Sequence, residues 1–132
     1  MSSPTPAKQR PLSPFMIGPY YRPQLTSVLS ITHRATGVLL AFGALLMAWW
    51  LVAIAGGPES HARFEAFARS WPGCLLLAGL AYSLVYHWLN GLRHLVWDLG
   101  LGLDLRSAYA SGWAVVALSL LATAGLWFAV RG

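Results

Sequence analysis

Three long runs free of charged side chains dominate this sequence: Ala35 to Gly57, Trp71 to Leu92 and Ser107 to Val130. Crossing a bilayer takes about 20 mostly apolar residues in a helix, and each run is long enough. The pattern predicts an all-α integral membrane protein with three transmembrane helices, over about 30–56, 71–98 and 107–130. Gly56, Gly57 and Pro58 close the first span. Between the first two spans lies SHARFEAFARS, where Phe64, Phe67 and Trp71 recur at helical spacing. A short amphipathic helix in the outer membrane interface is expected there. Ahead of the spans, prolines at 11, 14, 19 and 23 forbid a continuous helix. Leu12, Phe15, Met16, Ile17, Tyr20 and Tyr21 are nevertheless too apolar for a free tail. An extended segment is expected, packed on a partner subunit or along the membrane surface, behind a disordered stretch at residues 1–9. The division is thus 1–23, an N-terminal cytoplasmic segment, and 24–132, a three-helix transmembrane domain.

Composition agrees with a lipid-embedded chain. Hydrophobic residues make up 57% and charged residues 10%, against about 25% charged in an average soluble domain. The net charge of +5 is no nucleic-acid footprint, because the basic residues are scattered without a stripe or tract. Their sidedness is more useful. Lys8, Arg10, Arg22, Arg34, Arg93 and Arg106 fall on one side; Arg63, Arg69 and Arg131 fall on the other, with Glu59 and Glu65. The positive-inside rule then places the N-terminus in the cytoplasm. Cys74 is the single cysteine, which excludes a disulfide framework, a thiolate metal site and covalently attached haem. No cleaved signal peptide is expected, since the first apolar run is long and starts late.

Against this background the polar residues inside the spans stand out. His87 lies on the apolar side of the boundary that Arg93 and Asp98 mark, with His94 seven residues on and on the same face. An ionisable group at membrane depth is expensive and a functional candidate by default. Both imidazoles sit on one helix, about 10.5 Å apart along the axis at 1.5 Å per residue, so they cannot clamp one metal from opposite sides. Gly91 is one turn from His87 and leaves room for a flat group or for a neighbouring helix. Asp98 is four residues beyond His94 and could bond to it or to Arg93. On the first span Ser30 and Arg34 share one face, with His33 and Gly37 on the adjacent strip. Each has an ordinary reading, Arg34 as a snorkelling anchor and Ser30 as a hydroxyl bonding its own helix. His61, in a polar segment, reads as a solvated surface histidine. Beyond its first residues the third span has no strongly polar side chain except Ser111, Ser119 and Thr123, and packing alone is expected to explain it.

Enzyme templates are missing: there is no Ser-His-Asp set, HExxH or phosphate loop. Neutral imidazole is a common axial ligand of haem iron, and guanidinium suits haem propionates. A bis-histidine haem would need its second ligand from another subunit. A haem-free structural anchor and a His87–His94 proton relay are the other readings of these residues.

The combination of RPLSP at Arg10 to Pro14, S-x-x-H-R-x-T-G at Ser30 to Gly37 and H-x-x-x-G-x-R-H-L-x-x-D at His87 to Asp98 resembles the cytochrome b556 membrane-anchor subunits of succinate dehydrogenase. The resemblance runs from Arg10 to the C-terminus. Phe15 departs from it, standing where many members have histidine. What the resemblance implies is a bacterial inner-membrane complex in which a flavoprotein and an iron-sulfur subunit are held by this chain and a second hydrophobic anchor subunit. Electrons from succinate would pass to ubiquinone, with a haem b between the two anchors. By the same resemblance His87 is the axial ligand, His33 and Arg34 lie by the propionates, and Ser30 and Arg34 line the quinone pocket. His94 and Asp98 would help deliver protons, and no residue of this chain would catalyse succinate oxidation. The equivalent subunit of a fumarate reductase is the nearest alternative.

Overall fold

The computed structural model describes Phe15, Ile17, Gly18 and residues 21–131. The tail at 1–9 and most of the expected extended segment, including Leu12, Met16 and Tyr20, lie outside the described residues. What is described of that segment is a tight turn, in which the Gly18 amide donates to the Tyr21 carbonyl at 2.8 Å.

Four helices follow: α1 (Leu25–Ala55), α2 (Pro58–Arg69), α3 (Trp71–Asp98) and α4 (Leu105–Arg131). Among the described residues α1, α3 and α4 are long and apolar enough to cross a membrane, and no strand is present. At about 1.5 Å per residue each long helix exceeds the roughly 30 Å hydrocarbon core. The boundaries have local causes. Gly57, at φ 89°, turns the chain after α1 into a region that side chains other than glycine rarely enter. Pro58 then starts α2, where its missing amide costs nothing. Ser70 caps α3 by accepting from the Gly73 amide. Asp104 caps α4, accepting from the Ser107 amide at 2.9 Å. That bond holds the Asp104 carboxyl below its ordinary value. Its stabilising contribution is present above the usual carboxylate range and is lost as pH falls through the lowered value.

Helix α3 lies in the middle, packed against α1 on one side and α4 on the other, and α2 covers the far end of α1 and α3. The interior is small and rich in polar groups. Thr36, Ser83, Asn90, Arg93 and Ser119 are buried, while large apolar side chains from every span face outward. A water-soluble protein would invert that arrangement. In lipid it follows from the need to satisfy polar groups internally. The apolar part of the interior centres on Leu29, Tyr86 and Val115. Tyr86 donates its phenolic proton to the Leu29 carbonyl at 2.9 Å, tying α3 to α1.

Phe64 and Phe67 of α2 pack on the Trp49 ring, at centroid distances of 5.0 and 5.1 Å. Trp71, expected as the third member of that face, instead begins α3 and is 79% exposed. Ser70 breaks the helix one residue earlier and carries Trp71 out of register. The turn from α2 to α3 is tight. A Cβ at Gly73 would collide with the Phe67 carbonyl oxygen, whereas one at Gly79 would meet nothing within 4 Å. Gly73→Ala is therefore expected to cost about 1–3 kcal/mol and Gly79→Ala far less, read by thermal unfolding in detergent. Equal behaviour of the two would contradict this packing.

Candidate functional site

Polar side chains gather where α1 begins and α3 ends. His87 of α3 faces α1, where Gly37 receives it: a Cβ on Gly37 would approach the imidazole Cε1 to 3.1 Å. Gly91, named from sequence as the clearance beside His87, borders open space, with nothing within 4 Å of a built Cβ. The glycine that admits the ring is thus on the facing helix, out of reach of any spacing argument within α3.

The imidazole is fixed by α1. His87 Nδ1 is 3.1 Å from the His33 carbonyl oxygen and 3.2 Å from Thr36 Oγ1. The Thr36 hydroxyl donates its own proton to that same carbonyl, at 2.9 Å. Both neighbours of Nδ1 are therefore acceptors towards it. Nδ1 carries the proton, and Nε2 keeps its lone pair. Thr36, which sequence reading passed over, is one of the residues that set this tautomer. Its position one turn after His33 was the available signal.

His33 stacks on His87, with ring centroids 3.8 Å apart and planes 11° from parallel. On its other side it meets His94 edge-on at 5.3 Å, and Trp97 extends the series from His94. His33 Nδ1 is buried without a hydrogen-bond partner among the described residues. The three histidines form a column rather than a ligand cage, and no group of His, Cys, Asp or Glu among the described residues could hold a metal ion together.

Ser30 and Arg34 lie on the neighbouring strip of α1, Ser30 half-buried and Arg34 exposed. Asp98 ends α3 on the surface. Among the described residues no hydrogen bond or ion pair joins it to His94 or Arg93. His94 Nε2 instead lies 3.4 Å from Asn90 Nδ2.

Arg93 is buried, and its partners come chiefly from α4. Nε donates to Ser111 Oγ at 2.9 Å and a terminal nitrogen to the Ala108 carbonyl at 2.8 Å. The guanidinium also lies 3.8 Å over the Trp97 ring, a cation–π contact. Packing alone, the expectation for the third span, therefore does not account for α4. Ser111 and a backbone carbonyl of that helix solvate a cation inside the bundle.

The family model for the succinate dehydrogenase/fumarate reductase transmembrane subunit matches residues 6–126. The chain belongs to this family. It is 39% identical over 119 residues to the succinate dehydrogenase cytochrome b556 subunit of Rickettsia typhi, covering 90% of this chain and 91% of the relative. Identity to the subunit of that name from Paracoccus denitrificans is 42% over 112 residues, 85% of either chain. The mitochondrial succinate dehydrogenase cytochrome b560 subunit of Bos taurus is 39% identical over 119 residues, 89% of this chain and 69% of the relative. Membership of a transmembrane-subunit family and three spanning helices agree on a multi-pass membrane protein that works as part of a complex.

Ser111→Ala is expected to cost about 1–3 kcal/mol, because it removes an acceptor from a buried charged donor. Ser119→Ala should cost less, since Ser119 Oγ only donates to its own helix at the Val116 carbonyl. Thermal unfolding of the two variants compares them. A Ser111→Ala cost no greater than that of Ser119→Ala would contradict the role given to α4.

Proposed function

We propose that this chain is the haem- and quinone-binding anchor subunit of a succinate dehydrogenase in a bacterial inner membrane, with its N-terminus in the cytoplasm. Its partners are a second hydrophobic anchor subunit, an iron-sulfur subunit and a flavoprotein subunit. The observation that carries the haem assignment is the anchoring of His87. With Nδ1 held by the His33 carbonyl and Thr36 Oγ1, Nε2 is left as a bare, oriented donor. Ligating histidines are commonly held by a hydrogen bond of this kind, which fixes the ring and raises its basicity. The residues therefore fit a haem b whose second axial ligand comes from the partner anchor. Haem, when bound, supplies a one-electron carrier at that depth of the membrane.

The residues of this chain then divide the remaining work. His87 would hold the iron, and the Thr36 hydroxyl with the His33 carbonyl would keep its ring from turning. His33, with its buried and unpartnered Nδ1, and Arg34 would hold the propionates through charge-assisted hydrogen bonds. Ser30 would donate to a ubiquinone carbonyl at the rim, and Arg34 would stabilise the negative charge that reduction brings. His94 and Asp98, at the same end of α3, are the candidates for supplying protons. The orientation is supported by the six basic residues assigned to the N-terminal side against three on the other. The succinate-oxidising direction is supported by relatives that carry that name.

Two variants test this division of labour in the purified complex. His87→Ala is expected to abolish or shift the reduced haem absorbance and the midpoint potential, and unchanged values of both would overturn the ligand assignment. Ser30→Ala is expected to lower quinone reduction about tenfold or more with the haem spectrum intact, the loss of one hydrogen bond worth about 1.4 kcal/mol in the transition state. Full quinone turnover would remove Ser30 from the pocket.

A further inference from the structure

Asn90 has no exposed surface at all and stands between two groups that nothing so far connects. Its Oδ1 lies 3.5 Å from a terminal nitrogen of Arg93, and its Nδ2 lies 3.4 Å from Nε2 of His94. Both contacts are long, so chemistry rather than distance decides how the amide is turned. A guanidinium offers only donors. Turning the amide over would set its NH2 against those donors and leave buried groups unpaired, which costs about 1–3 kcal/mol for each. Oδ1 must therefore face Arg93, and Nδ2, itself a donor, must face His94. An amide donor can be satisfied by Nε2 only if that nitrogen carries no proton.

We infer that Arg93 and Asn90 are positioning residues that hold His94 as the neutral imidazole protonated at Nδ1, with Nε2 occupied by the Asn90 amide. The order of cause runs from α4 into α3. Ser111 and the Ala108 carbonyl of α4 fix the guanidinium, the guanidinium fixes the amide, and the amide fixes the tautomer. His33 of α1 meets the same ring edge-on. Since Nδ1 already carries its proton, His94 can take up another only at Nε2, when the Asn90 amide lets that nitrogen go. The same tautomer appears at His87 by a different device, a backbone carbonyl and a threonine hydroxyl. The inference stands on these hydrogen bonds and does not depend on what the site binds.

Nitrogen-15 magnetic resonance of histidine-labelled, dithionite-reduced complex reads the tautomer directly, and His94→Gln identifies the His94 signals by their disappearance. The expected wild-type pattern for His94 is a bare Nε2 and a protonated Nδ1. In Asn90→Asp one carboxylate oxygen pairs with Arg93 and the other faces Nε2 as an acceptor, so the Nε2 signal is expected to shift to the protonated position. In Asn90→Gln, which keeps an amide, it should stay bare. A protonated Nε2 in the wild-type complex would overturn the inference, even should a variant fail to assemble. An Nε2 signal that does not move in assembled Asn90→Asp would overturn the role of Asn90. Merely loosened packing would not convert one nitrogen selectively.

Discussion

A guanidinium buried inside a membrane bundle has to find its acceptors within the protein, and this requirement organises the helices around α3. Arg93 has no carboxylate beside it among the described residues. Its hydrogen bonds go instead to Ser111, to the Ala108 carbonyl and to Asn90, with the Trp97 ring beneath. Water is absent from the hydrocarbon region, so every such group left unpaired would cost several kcal/mol. The solution draws α4 against α3. Tyr86, through the Leu29 carbonyl, does the same for α1. The bundle is therefore held by a few polar contacts and close packing, since a hydrophobic drive between helices is missing in lipid.

That arrangement gives the site its rigidity. His87, His33 and His94 lie between α1 and α3 in one column, and each ring is constrained by groups from a neighbouring turn or helix. Two of the three are set by hydrogen bonds that specify a tautomer: His87 by α1, His94 by Asn90. A redox subunit benefits from both properties. In the proposed role, a ligand whose bare nitrogen is fixed in direction would bind iron without reorganising, and an imidazole whose Nε2 is held by an amide takes up a proton only when that amide lets go. On the outside of the same two helices Val38, Phe42, Leu84 and Leu95 face outward.

Much of this could be read from the order of residues, because its physics is one-dimensional. Uncharged runs of more than 20 residues mark spans, and Gly56-Gly57-Pro58 marks a break. His87, His33 and Arg34 stand out because polar groups at that depth are costly. What escaped the sequence depends on which residues of different helices face each other. Gly37 opposite His87 and Ser111 opposite Arg93 are separated along the chain by 50 and 18 residues, and spacing within their own helices does not say what each faces. Trp71 misled for the complementary reason. Its spacing from Phe64 and Phe67 fitted one helix, but Ser70 capped a new helix before it could join that face.

The central claim is that this chain contributes half of a haem site to a larger complex. Purification of the native assembly through a tag on this chain, followed by a reduced-minus-oxidised spectrum, tests it most directly. A b-type haem signal is expected in a preparation that also contains a flavoprotein, an iron-sulfur subunit and a second hydrophobic subunit. An intact four-subunit assembly with no haem signal would contradict it, leaving His87 as a packing residue of a structural anchor.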